Sequence, residues 1–270
     1  MNLHGFNPFM DYHKLDLSYY KKIYSEIYQR FRTYRDVVPT SLNEVVELFD
    51  YLNDIQEEII IQPNRCHFIL SQLSKRYDCP FIHIIRNPID VWFGQTIEMF
   101  ALADNIRRAR IILRLSKIKY KKLSALLIAP ILRYILVIIL PNKKTLNCCQ
   151  VSENFNLIKD KFNLGYPNFL DPLDKMLVVW TYCNYHAFKQ AEECDRGMVV
   201  YYEQVTKEPE KWFKIMSDFS GVNFDLKYAK ILKPRITKDE KLRKHFVERL
   251  ERLGLIDMVN EFYPPERWFG

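Results

Sequence analysis

Phe81-Ile82-His83-Ile84-Ile85-Arg86-Asn87-Pro88-Ile89-Asp90-Val91 is the stretch that decides the fold of this chain. Three of its first five residues are β-branched and four are apolar, the pattern of a strand buried on both faces, as in parallel sheets. Pro88 has no N–H to give to a ladder, so Asn87-Pro88 ends the strand, and a helix follows from about Ile89. Upstream, Arg65 to Tyr77 carries Phe68, Ile69 and Leu73 at helical spacing, and Ile59-Ile60-Ile61, closed by Gln62-Pro63, reads as a second short strand. Strand, helix, strand, helix at this spacing is a βαβ unit and implies a parallel sheet.

The same grammar returns near the C-terminus. Lys175 to Cys194 reads as a long helix ended by Gly197, followed by the strand Met198-Val199-Val200-Tyr201-Tyr202. A helix from about Pro209 to Phe219 closes near Gly221. Two capping boxes, Ser41-Leu42-Asn43-Glu44 and Thr237-Lys238-Asp239-Glu240, predict helix starts. The first opens a helix with Val45, Val46, Leu48, Phe49 and Leu52 on its apolar side; the second opens one running to Gly254. Residues 1 to about 40 also read as helical. The expected fold class is α/β, a parallel β-sheet flanked by helices, in a single domain over 1–270.

Bulk composition narrows the function classes. The chain has 270 residues, 48% hydrophobic and 27% charged, which is a globular rather than a disordered composition. Its seven glycines include no GxGxxG and no GxxxxGK[ST] spacing, so neither dinucleotide nor Walker-type loops are present. The net charge of +7 suits an anionic ligand, an acidic glycan or an anionic membrane. Six cysteines without a CxxC pair point to a reduced protein, and no metal or nucleic acid is expected. Met1 to Asp16 has neither a basic n-region nor an apolar h-region, so no signal peptide is read, and the expected location is cytoplasmic or peripheral to a membrane.

Three features, in this order, resemble the 3′-phosphoadenylyl sulfate-dependent sulfotransferase family. Phe81 to Val91 is similar to that family's strand followed by Arg-x-Pro-x-Asp-Val; Val199-Val200-Tyr201-Tyr202-Glu203, with Pro209 and Phe219-Ser220-Gly221, is similar to its Tyr-Glu-Asp-Leu strand end and the helix after it. Trp180, in the helix before that strand, is the third. The resemblance implies a sulfotransferase-like, P-loop NTPase-like architecture, with 3′-phosphoadenylyl sulfate as co-substrate and an acceptor hydroxyl, such as a glycan's, as sulfuryl acceptor. Arg86 would hold the 3′-phosphate, and Tyr202 would lie near the adenine or support the strand end. Gly94 stands where the family has a serine on the same phosphate, with Gln95 beside it as a substitute donor.

The departures limit the activity expected. Nothing in residues 1–56 resembles the loop that cradles the 5′-phosphosulfate, and Ile61 and Gln62 stand where some members carry a lysine before the proline matched by Pro63. The sulfotransferase domain is therefore expected to be incomplete at its N-terminus. Sulfuryl transfer depends on neutralising charge on the moving group, and losing one such donor commonly costs ~10²–10³ in rate. The expected activity is an impaired sulfotransferase; the alternative is a degenerate, non-catalytic fold that binds a membrane or polyanion. No catalytic base stands out: His83 reads as a core histidine, and Glu98 and Asp104 are equally unsupported.

Residues 104–150 form a helical insertion of a different kind. Arg107, Arg110, Arg114, Lys117 and Lys121 recur at three and four, a basic stripe on one helix face, and lead into the apolar run Leu123 to Leu140. Those 18 residues measure about 27 Å as a helix, close to a bilayer's thickness. One crossing there would part strands 81–85 and 198–202, which the resemblance implies belong to one sheet, so the implied fold and a span exclude each other. A buried helix, a hairpin bent at Pro130 or Pro141, and an in-plane anchor beside the basic stripe remain. The anchor predicts that vesicles rich in anionic lipid float the protein, and that replacing the stripe's lysines and arginines by glutamine abolishes flotation; equal flotation of both proteins refutes it.

Overall fold

Two five-residue strands, β1 (Phe81–Ile85) and β2 (Gly197–Tyr201), pair in parallel with Phe81 opposite Gly197 and Ile85 opposite Tyr201. The computed structural model describes residues 38–55, 66–93, 149–227, 229–231 and 238–269. The chain divides into two units, Met1–Arg65 and Cys66–Gly270. Among the described residues the protein is mixed α/β, mostly helical, with this small parallel sheet flanked by helices. The expected strand at 59–61, Gly94, Gln95, Glu98, Asp104 and the basic and apolar run to 148 lie outside the described residues.

In the first unit, a 3₁₀ turn (Leu42–Glu44) leads into α1 (Val46–Ile55). The expected capping chemistry is present, since the Ser41 amide donates to Glu44 Oε1 at 2.8 Å. It caps the 3₁₀ turn, with the α-helix starting two residues after it. Val45 and Phe49 are the buried pair on the apolar side.

The second unit is organised around one long helix. In chain order it contains α2 (Leu70–Tyr77), β1, α3 (88–93), α4 (Cys149–Lys161), α5 (Pro172–Glu192), β2, α6 (Tyr202–Lys207), α7 (Pro209–Ser220), α8 (Glu240–Arg252) and α9 (Ile256–Phe262). Pro172 at the first position and the Asp171 side chain, which accepts from the Asp174 amide at 2.9 Å, start α5. Its inner face buries Leu173, Leu177, Trp180, Cys183 and Ala187, and α4 packs along it through Phe155 and Ile158. Each fully buried large side chain of this kind contributes about 1.5–3 kcal/mol.

Alternation along the strands gives the sheet two faces, each packed on helices, but β1 is not buried on both faces as expected, because Ile84 is 53% exposed. On one, His83 meets Asn184 of α5. On the other, Val200 packs with Val205 and Met216, joined by Ile82, Met198, Trp212 and Phe213, so α7 forms the second layer. Two parallel strands alone are marginal, and here both layers hold them.

Sequence and structure differ at several boundaries, including the start of α2 at Leu70 and of α5 at Pro172. Gly197 is the first residue of β2 rather than the stop of α5, and Tyr202 opens α6 rather than closing the strand. Asp239, not Thr237, caps α8: its carboxylate accepts from the amides of Lys241 and Leu242 at 3.0 and 3.2 Å. Three helices had no counterpart in the sequence reading, α4, α6 and α9. α8 is tied to the start of α5 by Arg249, which reaches Asp171 and Asp174 at 2.6 and 2.8 Å, and by Arg252 on Asp174 at 2.6 Å. Among the described residues no helix is long and apolar enough to cross a membrane.

Gly197 explains how the strand comes so close to the helix before it. A Cβ there would lie 2.6 Å from the Ala191 Cα and 2.7 Å from the Phe81 ring, and the first of these is backbone that cannot rotate away. Gly197→Ala should lower unfolding free energy by about 1–3 kcal/mol, the usual cost of forcing an extra carbon into a packed site. An unchanged urea midpoint would show that α5 can retreat without loss.

Candidate functional site

The parallel register carries both strands to the same end of the sheet, so the residues after them, Arg86 and Tyr202, become neighbours. The carboxyl end of a parallel sheet is where ligands bind in α/β folds. The Arg86 guanidinium carbon lies over the Tyr202 ring, 4.6 Å from its centroid. Both residues are half-buried. Trp180, the third residue singled out from the sequence, joins them by donating from its indole Nε1 to the Arg86 carbonyl at 3.0 Å. Stacking uses the face of a guanidinium, whereas bidentate recognition of an anion uses its edge, so the two are compatible.

Behind Arg86 lies a buried polar knot that the sequence reading missed. Asn87 is fully buried; its side-chain oxygen accepts from the Asp90 amide at 2.8 Å and so caps α3. Its Nδ2 donates to Asp90 Oδ2 at 3.0 Å, to Glu203 Oε1 at 2.9 Å and to the Trp268 carbonyl at 3.2 Å. Glu203, with no exposed surface, also accepts from the Asn87 amide at 3.0 Å and from the Tyr263 hydroxyl. Burial pushes the Glu203 carboxyl up, opposed by the hydrogen bonds from Asn87 and Tyr263. Burial and the Glu203 charge likewise push the Tyr263 phenol up, which keeps it a donor. The signal for Glu203 was in the chain: a charged residue two positions after the end of a strand, in the first turn of α6.

The C-terminal segment closes this end of the sheet. Tyr201 donates to the Phe262 carbonyl at 2.6 Å and stacks on Tyr263, with ring centroids 4.9 Å apart. Trp268 is fully buried, edge-on to Trp180 at 6.3 Å, and its indole donates to the Tyr263 carbonyl at 3.0 Å.

His83 belongs to the core. Asn184 Nδ2 donates to the Trp180 carbonyl at 2.7 Å, which leaves Asn184 Oδ1 to accept from His83 Nε2 at 2.9 Å and assigns the proton to that nitrogen. Burial, with the ring of His67 edge-on at 5.3 Å, pushes the His83 pKa down to about 3. A neutral imidazole donating to an amide inside a strand is a packing group rather than a base. Among the described residues no group of histidines, cysteines and carboxylates is arranged to hold a metal ion.

An uncharacterized protein of Archaeoglobus fulgidus is 62% identical over 273 residues, in an alignment covering 100% of this chain and 84% of that protein. The chain belongs to the family of that archaeal protein. No family model matches the chain, and no solved structure matches it.

The position of His83 gives a pH prediction. Its folded pKa of about 3 lies below its ordinary 6.5, so between those values the unfolded chain binds a proton that the folded protein refuses. The stability His83 contributes is therefore complete above pH 6.5 and is lost as pH falls towards 3. His83→Gln should flatten the stability curve across that window, by up to about 1.4 kcal/mol per pH unit. His186 and His245, also pushed down by burial, titrate in both proteins and cancel from the difference. Parallel curves from pH-dependent urea unfolding would refute it.

Proposed function

We propose that this protein is a sulfotransferase-like nucleotide binder that takes the 3′-phosphate end of 3′-phosphoadenylyl sulfate at Arg86, with impaired sulfuryl transfer to an acceptor hydroxyl. The observation that carries the reading is the meeting of Arg86, Tyr202 and Trp180 at the carboxyl ends of two directly paired parallel strands. Each lies in a different segment, and 116 residues separate the first two along the chain, as the Asn87–Glu203 bond beside them also spans.

The fit to the co-substrate is partial. A half-buried guanidinium beside an aromatic ring suits a ribose phosphate next to a purine, since one supplies charge and the other a flat apolar face. The 5′-phosphosulfate has no corresponding holder among the described residues. When bound, the nucleotide would supply the activated sulfuryl group; what this chain supplies is a cation and a ring that fix its other end. Lacking the phosphosulfate loop, the chain is expected to bind the nucleotide better than it turns it over.

Adenosine 3′,5′-bisphosphate, which has no sulfuryl group, tests this binding end alone. At 100 times its dissociation constant it should stabilise the protein by about 2.7 kcal/mol, read as a rise in melting temperature. Arg86→Ala should weaken binding about 10- to 100-fold, because charge-assisted hydrogen bonds are lost. Equal shifts for both proteins, or none for the wild type, would remove the reading.

A further inference from the structure

The peptide unit between Arg86 and Asn87 is gripped on both edges by side chains. Its carbonyl accepts from the Trp180 indole at 3.0 Å, and its N–H donates to Glu203 Oε1 at 3.0 Å. In a trans peptide these two groups point in opposite directions, so the two bonds fix the plane's rotation. That rotation sets where the Arg86 side chain leaves the end of β1. Each gripping residue is in turn backed by the C-terminal segment. The Tyr263 hydroxyl donates to the other oxygen of Glu203, and Phe262 and Trp268 pack against the Trp180 ring at 5.5 and 6.3 Å.

We infer that Tyr263 is a positioning residue for the Arg86 site: by holding the Glu203 carboxylate it fixes the Arg86–Asn87 peptide and aims the guanidinium. Without its hydroxyl, Glu203 keeps its two bonds to Asn87 but loses the donor that orients the carboxylate from the far side. The group is wholly buried, so no solvent donor stands ready to replace it. Tyr263 acts at a distance from the anion, through Glu203 and then the peptide. For ligand binding, the inference rests on the reading of Arg86 as a phosphate contact.

Tyr263→Phe isolates the hydroxyl while keeping the ring stack on Tyr201. In hydrogen exchange, the Asn87 amide should exchange about 10-fold faster in the variant, with amides of α8 unchanged. Titration with adenosine 3′,5′-bisphosphate should show about 10-fold weaker binding, and this loss should vanish in an Arg86→Lys background, where a compact ammonium replaces the oriented fork. Unchanged Asn87 exchange overturns the inference, as does a binding loss that persists in the Arg86→Lys background. If the variant fails to fold, Glu203→Gln, which keeps an acceptor towards Asn87 but presents an amide to Tyr263, replaces it with the same expected outcomes. Faster Asn87 exchange in the variant, alongside a wild type that does not bind the nucleotide, would uphold the grip on the peptide and remove the proposed ligand instead.

Discussion

The pairing of β1 with β2 in parallel, in one register, is the constraint on which the rest depends. Phe81 opposite Gly197 and Ile85 opposite Tyr201 bring two segments more than a hundred residues apart to a common end point. A slip of one residue would turn His83 away from Asn184 and Val200 away from Met216, leaving a polar ring in an apolar layer. The register is therefore held by what the two faces touch as much as by the ladder. Gly197 allows it locally, because any side chain at that point would strike the helix behind.

Once the strands end together, their backbone groups need partners where the ladder stops. The protein meets this with side chains rather than with more sheet. Asn87 takes the Asp90 amide in the first turn of α3 and shares Glu203 with its own backbone, while Trp180 takes the Arg86 carbonyl. A buried carboxylate is expensive to desolvate, and three converging donors offset that cost. Arg86 thus stands on a rigid base while its own side chain remains partly exposed.

The sequence made some of this legible and hid the rest for physical reasons. The strand at 81–85, the α5 helix and α7 with its left-handed Gly221 follow from local apolar periodicity and from proline and glycine, and local signals survive in one dimension. The neighbourhood of Arg86, Tyr202 and Trp180 was legible only through resemblance to a known pattern, since nothing local to residue 86 mentions residue 202. Asn87 read as a turn residue and Glu203 only as part of a motif; their burial is a tertiary fact. Tyr263 and Trp268 follow helix α9, whose Leu255, Val259 and Phe262 do repeat at helical spacing, but their partners lie some 60 to 180 residues earlier. Gly197 read as a helix stop because glycine marks helix ends and tight contacts alike.

Trp268 lies 181 residues after Asn87 and is wholly enclosed, against Trp180 and the side chain of Asn87. A polypeptide leaves the ribosome from its first residue onward, so the residues that back the Arg86–Asn87 peptide emerge after both strands. Until then Asn87 lacks the Trp268 carbonyl and Glu203 lacks the Tyr263 hydroxyl. Contacts of such long sequence separation form slowly. Nascent chains therefore carry both strands before this backing exists, and a chain stopped before Tyr263 would keep β1 and β2 in its sequence but lack both contacts.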